Sequence, residues 1–200
     1  MLCMLLLTGC GGYKAGTIRG DVYRNAKAGF RFETPEAFTV TEEADYQAWH
    51  IYQEAVRQAE ERDALEGFNC EYAACASACE LLICSEPNTH EDTPTAFLAR
   101  ICNHLRDEAS GFEIRDLREV TYGGVDFKSA TLMAHAHSLM EEHHHTHDPE
   151  EAAETIGYSD QITVCVTEAE DSIVYLLMQV HDREEAKQQK QAVLDSIHQK

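Results

Sequence analysis

The sequence has few basic residues. Lys and Arg together number 16 among 200 residues, whereas Asp and Glu number 36, which gives a formal net charge of −20 at pH 7. A chain this acidic repels nucleic-acid phosphates and the surface of an anionic bilayer, so neither is expected as a partner through a basic face. Hydrophobic residues still make up 44% of the chain. That share supports a folded core, and the length suits one domain.

The familiar signatures of enzymes are also missing. The sequence contains no Gly-x-Ser-x-Gly, no His-Glu-x-x-His, no Gly-x-Gly-x-x-Gly and no phosphate-binding loop. Cys, His and Asp are so numerous that a nucleophile and a base could be paired in many ways, which is uninformative without geometry. We therefore predict a non-enzymatic protein. An enzyme whose site carries no recognisable motif is the alternative. Trp49 and its aromatic neighbours could line a ligand groove, but core packing is the simpler interpretation.

No apolar run in the sequence is long enough to cross about 30 Å of hydrocarbon. The first residues come nearest, because six of the first seven are Leu or Met, and Leu7-Thr8-Gly9-Cys10 follows. An apolar stretch closed by small residues is typical of the end of a signal peptide. The four residues resemble the lipobox of bacterial lipoproteins. That resemblance implies cleavage before Cys10, a diacylglyceryl group on the Cys10 thiol and a flexible tether that begins at Gly11-Gly12.

The lipobox resemblance also predicts how the chain is organised. We expect a signal peptide at residues 1–9, the lipidated Cys10 and its tether at 10–21, and one domain at 22–200. The protein would then lie on the extracytoplasmic face of a bacterial cell membrane, attached through the lipid on Cys10, where a protein partner could meet it. The alternative is a buried N-terminal strand that ends in a glycine turn.

Hydrophobic periodicity predicts a mixed order of strands and helices. Strands are expected at about 29–32, 70–85, 112–134 with a turn at Gly123-Gly124, 162–166 and 173–180, and helices at about 42–66, 93–110 and 182–197. This order is largely antiparallel, so we predict an α+β fold in which helices cover one sheet. Ile162, Val164 and Val166 alternate with polar residues, which predicts burial of one face of their strand.

Scattered positions along the domain carry a family resemblance. They are Tyr23-Arg24-Asn25, Gly29-Phe30, Phe32, Pro35, Gly123-Gly124, Tyr175-Leu176-Leu177 and the closing Asp195-Ser196-Ile197. The pattern resembles the PsbP-like domains of bacterial lipoproteins over about residues 20–198. The resemblance implies an α/β/α sandwich around a mainly antiparallel sheet. It implies no reaction, because the family is mostly of unknown activity and its founding members are accessory subunits of photosystem II.

Histidine is concentrated in one acidic stretch. Six histidines fall within thirteen positions, namely His135, His137, His143, His144, His145 and His147. Residues 135–160 also hold seven acids and no Lys or Arg. Imidazole and carboxylate groups are ligands for zinc and related ions, and the negative field would attract divalent cations. The stretch could therefore capture metal, with zinc as the candidate cofactor. The alternative is a solvated polar loop with no fixed ligand set.

Six cysteines remain after Cys3 and Cys10. An even number in an exported chain suggests disulfides. Cys70, Cys75, Cys79 and Cys84 are spaced symmetrically about residue 77. A hairpin with residues 76–78 as its loop would bring Cys75 opposite Cys79 and Cys70 opposite Cys84, which makes these two pairs the candidate disulfides. Cys102 lies in a helical apolar stripe and Cys165 on a strand. The alternative for all six is a set of free, buried thiols.

These observations lead to one expected function and one alternative. We expect a membrane-anchored, non-enzymatic accessory lipoprotein whose domain is a scaffold for a ligand or a protein partner. The alternative is capture of a divalent transition metal, zinc first, through the stretch rich in His and acids. We expect no nucleic-acid partner and no cofactor other than that zinc.

Overall fold

The computed structural model describes residues 16–108, 112–134, 161–180 and 184–200. Strands are β1 Thr17–Arg19, β2 Val22–Asn25, β3 Phe30–Glu33, β4 Thr39–Val40, β5 Asn69–Ala76, β6 Cys79–Pro87, β7 Phe112–Tyr122, β8 Val125–Ala134, β9 Gln161–Ala169, β10 Ser172–Val180 and β11 Ile197–Gln199. Helices are α1 Glu43–Tyr46, α2 His50–Glu61, α3 Pro94–Glu108 and α4 Glu184–Asp195, and a 3-10 turn spans Leu65–Gly67.

A seven-stranded sheet forms the centre of the domain. Its strand order is β4-β5-β6-β10-β9-β8-β7, and every pairing is antiparallel. Strands β9 and β10 are buried on both faces. The expected burial of Ile162, Val164 and Val166 is confirmed, and Thr163, Cys165 and Thr167 on the other face of β9 are covered as well.

Two helices cover one face of the central sheet, which we call the helix face. Ile51 and Ala55 of α2 and Leu98 and Ile101 of α3 pack there in one apolar cluster. Alternate residues of the sheet strands, such as Val164 on β9 and Leu177 on β10, complete the cluster, as the alternation of side chains along strands requires. The predicted start of α3 is confirmed, since the Ala96 amide donates to Thr93 Oγ1 at 3.2 Å.

The opposite face, which we call the strand face, is covered by a second sheet and by α4. The second sheet has the order β1-β2-β3-β11. Tyr23, Phe30 and Phe32 of this sheet meet Tyr72 and Phe127 of the central sheet, with ring centroids 5.3 to 6.0 Å apart. Val193 and Leu194 of α4 belong to the same apolar cluster.

The predicted fold class is confirmed: the domain is α+β, and helices lie on both faces of a mainly antiparallel sheet. Three segments differ from the expectation. The helix predicted at 42–66 is interrupted at Trp49, whose ψ of 137° is extended. Thr17–Arg19, expected as tether, form β1. Ile197–Gln199 form β11 rather than the end of a helix. The extended conformation lets these residues pair with β3 and buries the Ile197 side chain.

Several predictions fall on residues outside the described ranges. They are the signal peptide, Cys10, the tether as far as residue 15, the stretch rich in His at 135–160 and the beginning of the last helix at 182–183. These stay predictions.

Candidate functional site

A groove of about 440 Å³ lies on the helix face. It begins where Pro94 starts α3, so no helix among the described residues covers the end of the sheet beyond that residue. We call it the polar groove. Its walls come from the end of β7, the start of β8 and the end of β9, and its residues are Pro94, Glu119, Val120, Thr121, Asp126, Phe127, Lys128, Val166, Thr167 and Glu168.

Strand register places the polar side chains of the groove in cross-strand pairs. Glu119 lies opposite Lys128, and the two side chains form an ion pair. Thr121 lies opposite Asp126 and donates to its Oδ1 at 2.6 Å. Directly opposed residues of this kind hold each other's side chains in place. The groove therefore has ordered walls.

The polar groove is acidic overall. Three carboxylates, on Glu119, Asp126 and Glu168, face one ammonium group on Lys128, so the formal charge is −2. Glu168 is exposed, and the half-buried Pro94 and Val120 add apolar surface to the groove. A volume of several hundred cubic ångströms with few charged groups and some apolar surface is typical of small-ligand sites. Its chemistry favours a cation over an anion.

Sequence reasoning missed the polar groove. Its charged residues stand on the β7–β8 hairpin and on β9, which is far from that hairpin in sequence, and none belongs to a known motif. One signal was present, because Glu119 and Thr121 on one side of the Gly123-Gly124 turn and Asp126 and Lys128 on the other are polar at alternate positions. Strand periodicity places such residues together on one face.

A buried ion pair lies on the helix face, under α2 and α3. The Arg62 guanidinium donates two hydrogen bonds to the Glu86 carboxylate, at 2.9 and 2.7 Å, and these side chains are only 7% and 2% exposed. Tyr175 donates to the same carboxylate at 3.2 Å, and the guanidinium lies 5.0 Å above the Phe97 ring. Every charge here is satisfied within the core, so the cluster fixes α2 to the sheet and offers no free group to a ligand.

A polar contact also anchors α4 on the strand face. Lys190 Nζ donates to Thr163 Oγ1 at 3.2 Å. Burial lowers the pKa of Lys190, and the nearby Cys165 opposes that shift. Cys165 in turn donates to Ser129 Oγ at 3.4 Å. The contact is internal to the core, and it connects α4 to the middle of the sheet.

The cysteine hairpin forms with a register different from the symmetric one. Ala76 lies opposite Cys79, and Cys75 lies opposite Glu80. Cys75 and Cys79 therefore do not face each other as expected, because the turn holds two residues rather than three. A bulge between Cys70 and Tyr72 restores the register, so Cys70 does lie opposite Cys84. All six described cysteines are free thiols, and the disulfides stay predictions.

Cys79, Cys102 and Cys165 are buried thiols. Burial raises the pKa of Cys79 and of Cys102 to about 12, and that of Cys165 to about 11. The thiolate is the reactive form, so thiols in apolar surroundings are poor nucleophiles. The expectation that Cys102 is buried in a helical stripe is confirmed. Trp49, on the other hand, is half-buried and packs against the core of the helix face beside Tyr46.

Within the described ranges, no group of three or more His, Cys, Asp or Glu side chains is arranged to hold a metal ion. The six histidines from His135 to His147 lie outside those ranges. Among the described helices, none is both long and apolar enough to cross a membrane.

Comparison with known proteins identifies similar folds. No family model matches the chain, and no curated protein matches it. Similar solved structures include cyanobacterial PsbP (CyanoP) from Synechocystis sp. PCC 6803, with 11% identity, a TM-score of 0.47 and coverage of 96% of both chains. They also include LpqN, involved in cell envelope biogenesis of Mycobacterium tuberculosis, with 9% identity, a TM-score of 0.41 and coverage of 84% of this chain and 82% of LpqN. A mutant of the protein Mog1 has 10% identity and a TM-score of 0.43, with coverage of 85% of this chain and 90% of the Mog1 chain. These similarities concern the fold and say nothing of ligand or activity.

Proposed function

We propose that the chain is a non-catalytic binding protein, held outside a bacterial membrane by lipid on Cys10, that takes a cationic ligand in the polar groove. The observation that carries this proposal is the groove itself, which combines about 440 Å³ of space with three carboxylates and one ammonium group. The ligand would be a small molecule or a partner's side chain that bears an ammonium or guanidinium group.

The charges of the groove support a cationic ligand. Lys128 is engaged by Glu119, and Asp126 accepts from Thr121, which leaves further acceptor positions on Asp126. Glu168 is exposed and adds a second acceptor at the mouth. A ligand ammonium group has only donors to offer, so Asp126 and Glu168 are its natural partners. The net charge of −20 would also speed the approach of cations.

The binding proposal is tested by calorimetric titration of the purified full chain with trilysine at low ionic strength. We expect Asp126→Asn/Glu168→Gln to weaken binding by roughly tenfold, since two solvated ion pairs contribute about 1 kcal/mol or less each. Triglutamate should not bind. The matched control is Glu36→Gln/Glu60→Gln, which removes the same charge from exposed positions outside the groove and should change affinity by less than about twofold.

Two outcomes would contradict the groove as the binding site. Trilysine that fails to bind the unaltered chain would exclude a cationic ligand of this kind. Equal losses in the groove variant and in the control would assign the attraction to the overall charge of the protein.

The lipid anchor is tested separately. Cells that express the full chain would be grown with labelled palmitate. We expect label on the unaltered chain and none on Cys10→Ser, because the lipobox pattern assigns the lipid to that thiol. Label on both chains, or on neither, would exclude Cys10 as the anchor.

A second candidate function rests on the composition of residues 135–148. Six histidines and three acids in this stretch could take zinc through imidazole and carboxylate ligands. Zinc titration would compare the unaltered chain with one in which His143, His144, His145 and His147 are Gln. Loss of the tightest binding in the variant is the expected result. Equal stoichiometry and affinity in the two chains would rule the stretch out.

A further inference from the structure

We propose that Cys70 and Cys84 form a reversible thiol–disulfide site, which takes a small or protein disulfide as its oxidant. The site lies on the helix face under α1 and α2, away from the polar groove and independent of what the groove binds. Four observations carry it: register, contact between the thiols, unequal exposure and an open strand edge.

Register brings the two cysteines within bonding reach. Cys70 on β5 and Cys84 on β6 are directly opposed across an antiparallel pair. Opposed residues in such pairs have Cα atoms about 4.5 or 5.5 Å apart, and both values lie within the range that disulfides span. The bulge between Cys70 and Tyr72 is what creates this opposition. Without the bulge, the register would place Cys70 one residue away from the position opposite Cys84.

The two thiols contact each other and share one tyrosine. Cys84 and Cys70 are joined by a side-chain hydrogen bond, and Tyr46 forms another with Cys70. Burial, followed by that bond to Cys70, raises the pKa of Cys84 well above its ordinary value. Burial is also the main cause of the raised pKa of Tyr46, and Cys70 adds to it. Cys84 and Tyr46 are therefore held in their protonated forms beside the Cys70 sulfur, which itself donates to the Tyr72 carbonyl oxygen at 3.7 Å.

Exposure assigns different roles to the two thiols. Cys84 is fully buried, whereas Cys70 is partly exposed. On its outer side, β5 pairs with the described part of β4 only at Ala74 and Cys75, so the edge near Cys70 has no neighbouring strand among the described residues. An oxidant in solvent can therefore react with Cys70 first, and the buried Cys84 reacts second.

The exchange balances without any other reactant. The Cys70 thiolate attacks one sulfur of the oxidant R–S–S–R, which forms Cys70–S–S–R and releases one RS⁻ that takes a proton. Cys84 then gives up its proton and attacks the Cys70 sulfur, which forms the Cys70–Cys84 bond and releases the second thiol. Two protein thiols are oxidised to one disulfide, and one external disulfide is reduced to two thiols.

The neighbouring cysteines provide an internal contrast. Cys75 and Cys79 belong to the same hairpin, but they are not opposed. Cys75 packs toward the helix face, near Thr41, while Cys79 belongs to the cluster of the strand face. Side chains on opposite faces of a sheet cannot reach each other. The site is therefore specific to one of the two candidate pairs.

The test treats the purified full chain with oxidised glutathione, alkylates the remaining thiols after denaturation, and maps peptides by mass. We expect a Cys70–Cys84 cross-linked peptide, two hydrogens lighter than the reduced pair, which reduced glutathione converts back. The thermal midpoint of the oxidised chain should rise by about 5 °C, because the bond closes a loop of about 15 residues. The control Cys75→Ser/Cys79→Ser should form the same bond.

Three results would overturn the site. They are glutathione left on Cys70 with Cys84 still alkylated, a bond from Cys70 to Cys75, or no change in either thiol.

Discussion

The two faces of the central sheet are covered in different ways. On the strand face a second sheet closes over the core, and five aromatic rings from both sheets meet at centroid distances of 5.3 to 6.0 Å. On the helix face α2 and α3 cover only part of the sheet, with a buried ion pair between them and the strands. The polar groove and the Cys70–Cys84 pair both lie on this second face.

This difference suggests that the strand face mainly stabilises the fold, whereas the helix face carries the site for ligand binding. Aromatic rings packed between two sheets tolerate little change, because interiors are close-packed and every lost group leaves a cavity. Helices that stop short of the sheet's edge leave strand ends uncovered, where polar side chains can meet a ligand. We therefore expect substitutions on the strand face to unfold the protein, and substitutions in the groove to alter binding alone.

The largest loss of stability is expected for Phe32→Ala. Phe32 is fully buried and packs edge-on against Tyr72, so its truncation should lower the free energy of unfolding by about 3–5 kcal/mol. Phe68→Ala, a half-buried ring on the helix face, should lower it by less than half as much. Urea unfolding of both variants measures the difference. Equal losses would show that the two faces are equally dependent on their rings.

The next loss concerns the ion pair of the helix face. Arg62→Met leaves the Glu86 carboxylate buried without its partner, and should lower the free energy of unfolding by about 3 kcal/mol. Arg62→Met/Glu86→Gln should recover most of this, because no unpaired charge remains and the Gln oxygen can still accept from Tyr175. The same urea unfolding measures both. A double variant as unstable as the single one would mean that the pair contributes through its attraction rather than through charge neutrality.

A smaller loss is expected at the turn between β7 and β8. Gly123 has a φ of 54°, and a Cβ there would meet the Ile197 carbonyl oxygen at 1.8 Å. Gly20 has a similar φ of 58° but nothing within 4 Å. Gly20→Ala should therefore lower the free energy of unfolding by about 1 kcal/mol, the cost of the left-handed conformation alone. Gly123→Ala should lower it by about 2 kcal/mol. Equal losses of unfolding free energy in the two variants would mean that β11 shifts to accommodate the added methyl group at no cost.

Much of the fold could be predicted from the sequence because strand and helix periodicities are local properties. The apolar run of β10, the Thr93-Pro94 helix start and the Gly123-Gly124 turn each depend on a few adjacent residues. The interruption at Trp49 could not be predicted, since the helical stripe continues through it. Strand β11 was missed as well, because only its pairing with β3, about 165 residues away, makes Ile197–Gln199 extended.

The candidate site was less predictable than the fold. Cys70 and Cys84 were correctly placed opposite each other, but the symmetric spacing suggested a three-residue loop, and the bulge that reconciles the register has no sequence signature. The polar groove depends on where α3 begins relative to three strands, which is a property of packing. Composition drew attention instead to the histidines, which lie outside the described residues.

The smallest effect is expected at the Cys102 thiol and depends on pH. In the folded chain burial raises the pKa of Cys102 from 9.0 to about 12. Below pH 9 the thiol is protonated in both states, so its contribution to stability is fully present. As the pH rises toward 12, the unfolded chain loses this proton before the folded chain does, and the contribution is lost. Cys102→Ala should lower the free energy of unfolding by about 1 kcal/mol at pH 7, and its difference from the unaltered chain should shrink above pH 9.

The control is the exposed neighbour Asn103→Ala, whose free energy of unfolding should change with pH in the same way as that of the unaltered chain. A difference between Cys102→Ala and the unaltered chain that stays constant with pH would contradict the raised pKa.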